Sequence, residues 1–158
     1  METKNDLCLS KATMDDIDQI SQLVNHYAQN QLMLPRAFGT LYEGVRDFVV
    51  AKLNGAIVGV GALHVIWKDL AEIRSLAVSP EYCHRRIGAQ IVQYLLEESA
   101  SLRISNVFAL TYQPDFFRKL GFEIVPKETF PHKVWTDCVN CIKFPNCDEV
   151  AVQIRIDL

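Results

Sequence analysis

The sequence predicts a mixed α/β domain, and three observations carry that prediction. Ile17, Ile20, Leu23, Val24 and Tyr27 recur at helical spacing. They follow Thr13 and Asp16, an N-cap residue with an acidic residue three places on. Asn54-Gly55 separates two apolar runs and is the strongest hairpin signal in the chain. Finally, within Asp69–Val92 an apolar strand enters a short polar turn that holds two arginines and a glycine, and the turn opens a helix.

Taken in order, Leu7–Lys11 reads as a first strand and the helix after Thr13 runs to about Gln29. Leu32–Arg36 is a loop around Pro35, and Gly39 precedes a short helical piece over Thr40–Arg46. Asp47–Leu53 and Ala56–Trp67 form the hairpin, Lys68–Leu70 turns, and Ala71–Val78 is the next strand. The helix from Ile87 to about Ser101 places Ile91, Val92, Leu95 and Leu96 on one face. Asn106–Thr111 is a buried-type strand. Asp115–Leu120 is a short helix with Gly121 at its C-cap. Phe122–Val125 and Glu149–Ile156 complete the order β-α-α-β-β-β-α-β-α-β-β, read as one domain over residues 1–158 with a cysteine-rich insertion at about 130–148.

At 158 residues the chain is long enough for one real core, and 49% apolar with 22% charged residues is a globular composition. A net charge of −3 argues against nucleic acid as a partner. Met1–Asp6 leads into no apolar leader region, and the longest apolar run, Ala56–Trp67, is too short for a bilayer. A cytoplasmic protein without a membrane partner is expected. Edge strands near the C-terminus predict a homodimer. Five cysteines, an odd number, read as thiols or metal ligands in that compartment.

The turn at residues 83–90 is built for an anion. First-turn N–H groups of a helix have no intrahelical partners, and the helix dipole favours negative charge there. Arg85 and Arg86 add formal charge. A phosphorylated ligand is expected at this turn.

This element order, with the strand–basic turn–helix at its centre and F-F-R-K-L-G-F later, resembles the Gcn5-related N-acetyltransferase (GNAT) superfamily. The resemblance implies a central, mixed, mostly antiparallel sheet flanked by helices, with central strands that splay around the pantetheine of acetyl-CoA. The superfamily's pyrophosphate motif, Gln/Arg-x-x-Gly-x-Gly/Ala, is matched here by Cys83-x-x-Arg86-x-Gly88. Cys83 stands in for a polar side chain and Arg86 for a glycine. The implied cofactor-binding set is Leu76, Ala77, Val78, Cys83, His84, Arg85, Arg86, Ile87, Gly88, Ala89 and Gln90. A narrower resemblance rests on D-L-A-E-I-R-S-L-A-V, F-A-L-T-Y-Q-P-D-F-F-R-K-L-G-F and K-E-x-F-P-H-K-V-W-x-D-C-x-x-C. These look like the short bacterial N-acetylglutamate synthases, which lack a kinase domain and catalyse the first step of arginine synthesis.

The reaction so implied is attack of an amino acid's α-amine on the acetyl-CoA thioester, with L-glutamate expected and L-glutamine as the variant. It needs a deprotonated amine, a polarised carbonyl, a proton for the thiolate and oriented reactants. The resemblance places the general base at Glu72; otherwise Glu72 is a solvated strand-end carboxylate paired with Arg74. Ser75 sits where a proton-relay residue lies in the long synthases. The Leu76 N–H is the donor to the thioester carbonyl, and the Ala77 and Val78 backbone pairs with pantetheine. Many members carry a tyrosine where this chain has Phe117, which cannot donate a proton, so Tyr112 or water is the substitute acid. An α-carboxylate calls for a planar, bidentate cation. Leu34-x-Arg36 matches the long synthases, and Arg74, Thr111 and Lys133 complete the expected substrate contacts.

His132, Cys138, Cys141 and Cys147 are four ligand types in sixteen residues and read either as a structural zinc site or as free or redox-labile thiols. Cys8 reads as a small core residue. Two other functions stay open: a GNAT enzyme for a peptide N-terminus, polyamine or drug amine, and a non-catalytic CoA-binding regulatory domain.

Overall fold

A computed structural model describes residues 6–29, 37–83, 85–130 and 149–158. The strands are β1 (Leu7–Lys11), β2 (Phe48–Leu53), β3 (Ala56–Trp67), β4 (Leu70–Val78), β5 (Asn106–Thr111), β6 (Glu123–Val125) and β7 (Val150–Arg155). The helices are α1 (Ile17–Gln29), α2 (Phe38–Glu43), α3 (Ile87–Ser101) and α4 (Pro114–Arg118). The sheet order is β1-β2-β3-β4-β5-β7-β6. Pairing is antiparallel at β1–β2, β2–β3, β5–β7 and β6–β7, and parallel at β4–β5.

The chain divides into two compact units. The first comprises Met1–Leu63 and Ile73–Glu98. Its core joins Ile17, Ile20 and Val24 of α1 to Leu41 of α2 and to Phe48, Val50, Val60, Ala62 and Ala77 of the strands. The helical periodicity read in α1 is what delivers this buried stripe. Thr13 N–H donates to Asp16 Oδ2 at 2.9 Å, which caps the start of the helical segment. Asn54 and Gly55 take φ of 53° and 84°, the two left-handed residues that a tight hairpin turn with native twist requires. On β3, Gly59 and Gly61 admit α3 closely. A Cβ at Gly59 would stand 2.9 Å from Ile87 Cγ2, and one at Gly61 2.7 Å from Ile91 Cγ2. Ile91, Val92, Leu95 and Leu96 are all buried.

The second unit comprises His64–Glu72 and Ser99–Leu158. Leu70, Phe108, Phe130 and Ala151 form its core cluster, with Phe108 and Phe130 stacked at 4.3 Å. Phe117 meets Phe116 and Phe122 edge-on, each at 5.1 Å.

Some expectations shift. α2 begins at Phe38, with Gly39 inside it, and ends before a 3-10 turn at Val45–Asp47. α4 starts at Pro114, which suits the first helical position because its missing N–H would find no partner there. Of the two strands nearest the C-terminus, β6 is an edge strand and β7 lies between β5 and β6, so the described sheet is bounded by β1 and β6. Cys8 is exposed, not core. In β1 the half-buried positions are Leu7, Leu9 and Lys11, and strict alternation turns Cys8 outward.

Candidate active site

Most of the candidates lie along β4 and the turn that follows it. Leu70 belongs to a core cluster with Phe108, and strand alternation puts Glu72 and Arg74 on the same face as Leu70. Glu72 is not the solvated strand-end carboxylate of the bland expectation. It is the third residue of β4, it lies opposite Phe108 in the β4–β5 ladder, and only 7% of it is exposed. Burial of a carboxylate is costly, so its position is a feature that the packing has to sustain. Glu72–Phe108 is the last β4–β5 pair among the described residues, and β4 continues to Val78.

Ser75 takes φ of 55°, a left-handed conformation inside a strand. A residue of this kind breaks alternation and re-aims the backbone that follows, as at bulges. Beyond it, Ala77 packs into the α1–α2 core, and Leu76 Cδ1 would meet a Cβ at Gly61 at 3.3 Å. The serine itself offered no sequence signal for this geometry.

After β4, Ser79 N–H donates to the Val58 carbonyl at 2.8 Å, and Pro80–Tyr82 forms a 3-10 turn. Cys83 is exposed, with its sulfur 3.7 Å from the Ser79 carbonyl oxygen. Arg85 lies over the Tyr82 ring at 5.3 Å. Arg86 takes φ of 58°, and its carbonyl accepts from Gln90 N–H at 3.1 Å. Arg86 therefore caps α3, and the N–H groups of Ile87, Gly88 and Ala89 have no acceptor within the helix. Arg85 and Arg86 are exposed beside those donors, and buried Ile87 anchors the turn below them. The motif position occupied by Arg86 thus has the backbone of a glycine. His84 lies outside the described residues.

The α1 periodicity reads Tyr27 as core, and Tyr27 does pack against the core cluster, but its contacts reach further. Its hydroxyl donates to the Val78 carbonyl. Burial pushes the Tyr27 phenol up, aided by the charge and hydrogen bonding of Cys83.

On β5, Thr111 is buried and its Oγ1 accepts from Gln113 N–H at 2.8 Å, a side-chain turn that ends the strand ahead of α4. Tyr112 is half-buried just beyond, and Phe117 is 4% exposed in an aromatic core. Leu34, Arg36, Lys133 and the four expected metal ligands His132, Cys138, Cys141 and Cys147 lie outside the described residues. Among the described residues no group of three His, Cys, Asp or Glu side chains could hold a metal ion, so nothing there supports a zinc site. None of the described helices is long and apolar enough to cross a membrane.

Residues 44–124 match the acetyltransferase (GNAT) domain family. An uncharacterized N-acetyltransferase of Chlorobaculum tepidum is 37% identical over 147 residues, covering 93% of this chain and 95% of that protein. An amino-acid acetyltransferase of Mycobacterium tuberculosis is 44% identical over 115 residues, 71% of this chain. The match spans 66% of that relative's own length. A Mycobacterium tuberculosis protein solved in complex with CoA superposes with a TM-score of 0.84 at 32% identity, covering 95% of this chain and 99% of that one.

Proposed function

Because the chain belongs to the GNAT acetyltransferase family, we propose that it moves the acetyl group of acetyl-CoA onto the α-amino group of an amino acid, L-glutamate by preference and L-glutamine next. The observation that carries this reading is the pairing, three residues apart on β4, of a buried carboxylate at Glu72 with a left-handed residue at Ser75. The first supplies a base out of bulk water and the second redirects a backbone donor. The name of the Mycobacterium tuberculosis relative and the CoA in the solved homologue support the acceptor class and the donor.

In this mechanism Glu72 takes a proton from the substrate ammonium through water. The freed nitrogen attacks the thioester carbonyl carbon, and the C–N bond forms. The negative charge that develops on oxygen meets the Leu76 N–H. The nitrogen gives up its second proton to water, the C–S bond breaks, and the CoA thiolate takes a proton from water or from Tyr112, so that the one surplus proton is the one Glu72 holds. The choice of water is chemically easy, because a thiol is only a weak acid near neutrality. The pantetheine arm runs along the Ala77–Val78 stretch of β4 as an added strand. The pyrophosphate rests on the N–H groups of Ile87, Gly88 and Ala89, with Arg85 and Arg86 adding charge. Arg36 fixes the acceptor's α-carboxylate, with Leu34, Arg74, Thr111 and Lys133 around it. The expected setting is cytoplasmic arginine synthesis.

A cationic polyamine acceptor is disfavoured by three cations, Arg36, Arg74 and Lys133, in the acceptor-binding set. The non-catalytic CoA-binding reading draws on Phe117, a buried ring where the superfamily resemblance implies a tyrosine. The deciding experiment measures CoA thiol release from acetyl-CoA with each of the twenty amino acids, spermidine and a short peptide. Release with glutamate or glutamine alone is the expected result. Release only with amines or peptide overturns the acceptor, and binding of acetyl-CoA without release to any acceptor overturns catalysis.

A further inference from the structure

We infer that Tyr27 is a positioning residue for acetyl-CoA, one that holds the last hydrogen-bonding groups of β4 in the orientation the pantetheine arm requires; the inference rests on the functional reading above. Tyr27 lies on α1, far from the turn in sequence, and its hydroxyl donates to the Val78 carbonyl. The residues on either side of this contact are fixed by other bonds. Ser79 N–H is committed to Val58 on β3 at 2.8 Å, and Ala77 is buried in the α1–α2 core. Successive residues of an extended strand direct their backbone polar groups to opposite edges. With Ser79 facing β3, the N–H and C=O of Val78 face away from β3. Tyr27 therefore occupies the carbonyl on that edge and sets the direction of the Val78 N–H beside it.

An extended ligand that adds to a strand edge depends on such donors being correctly aimed before it arrives. With one lone pair of its carbonyl engaged by a phenol, Val78 presents its peptide groups to a ligand in a fixed orientation. Cys83 lies at the same spot, its sulfur 4.0 Å from the Val78 carbonyl oxygen, too long and too weak a donor to replace the tyrosine. All of these groups belong to the first compact unit.

The test compares wild type with Tyr27→Phe by calorimetry, using two ligands: acetyl-CoA, and adenosine 3′,5′-bisphosphate, which carries phosphates but no pantetheine arm. One net hydrogen bond corresponds to about a fivefold change in affinity. The expected result is an acetyl-CoA Kd raised about fivefold with the bisphosphate Kd unchanged. In turnover, KM for acetyl-CoA rises by the same factor while kcat and the acceptor KM hold. Equal weakening of both ligands overturns the inference, because it marks a general loss of structure, and thermal unfolding identifies that case directly. Unchanged binding of both ligands overturns it as well. A wild-type protein that binds no acetyl-CoA overturns the functional reading and this inference together, whereas wild-type binding that Tyr27→Phe does not alter overturns this inference alone.

Discussion

Lys52 Nζ on β2 lies 3.0 Å from Asp16 Oδ1 at the entrance to α1. Asp16 is 5% exposed and also accepts the Thr13 N–H, so one carboxylate closes a helix cap and ties that helix to the sheet. Burial acts to raise its pKa, but the Thr13 and Lys52 hydrogen bonds and the Lys52 charge outweigh it and hold the carboxyl below its ordinary value of 3.8. A carboxyl depressed on folding stabilises above its unfolded pKa and loses that contribution as pH falls through the folded value. Asp16→Ala is expected to cost about 1–2 kcal/mol near neutrality. The gap between wild type and variant in urea unfolding closes as the pH is lowered from 3.8 downward.

Arg86 and Ser75 take left-handed backbone at φ of 58° and 55°. For a residue with a Cβ this costs about 1–2 kcal/mol, a cost glycine avoids. Arg86→Gly is expected to raise stability by about 1 kcal/mol, which for a chain of this length is about 2–4 °C in Tm. Ser75→Gly leaves Tm equal or higher, whereas the β-branched Ser75→Val lowers it, read by thermal unfolding of both variants.

Glu72→Gln removes the proposed base while keeping a similar volume. Turnover is expected to fall by about 10²-fold or more, most severely at low pH where the amine is most protonated, with acetyl-CoA binding nearly unchanged. An unaltered pH–rate profile removes Glu72 from that role.

Arg36→Ala is expected to raise the acceptor KM by about tenfold or more and to leave the acetyl-CoA KM near the wild-type value. Equal effects on both constants contradict an α-carboxylate contact.

Gly61→Ala drives a methyl to 2.7 Å from Ile91 Cγ2 and 3.3 Å from Leu95 Cδ1. Overpacking of this kind costs about 1–3 kcal/mol, measurable as a lower urea midpoint with an unchanged slope.

Periodicity made most of the fold legible. The α1 stripe, the Asn54-Gly55 turn and the buried face of α3 all follow from patterns that a single sequence carries, and the expected strands agree with the structure to within a residue or two. Cys8 failed as a core residue because composition alone says that cysteine is often buried, while the neighbouring leucines decide which way a strand residue faces. Glu72 was legible as a candidate but its burial was not, since that depends on β4 pairing with β5, a contact far apart in sequence. Ser75 carried no mark of its backbone geometry, because serine does not favour positive φ and only the surrounding structure imposes it, whereas the one mark at Arg86 was the motif glycine that it replaces. Tyr27 was hidden by its own regularity: a tyrosine at a core position of a helix gives no hint that its hydroxyl reaches a strand end.

The position of β7 has a consequence for biosynthesis. Val150–Arg155 fill the slot between β5 and β6, whereas the first compact unit includes no residue beyond Glu98. On the ribosome, the first unit has all its residues more than fifty positions before the second receives its inner strand. Until residues 150–155 emerge, β5 and β6 wait with open edges, the condition in which nascent chains most readily pair with the wrong neighbour. The unit that contains Glu72 is thus the one whose sheet stays incomplete until residues 150–155 are made.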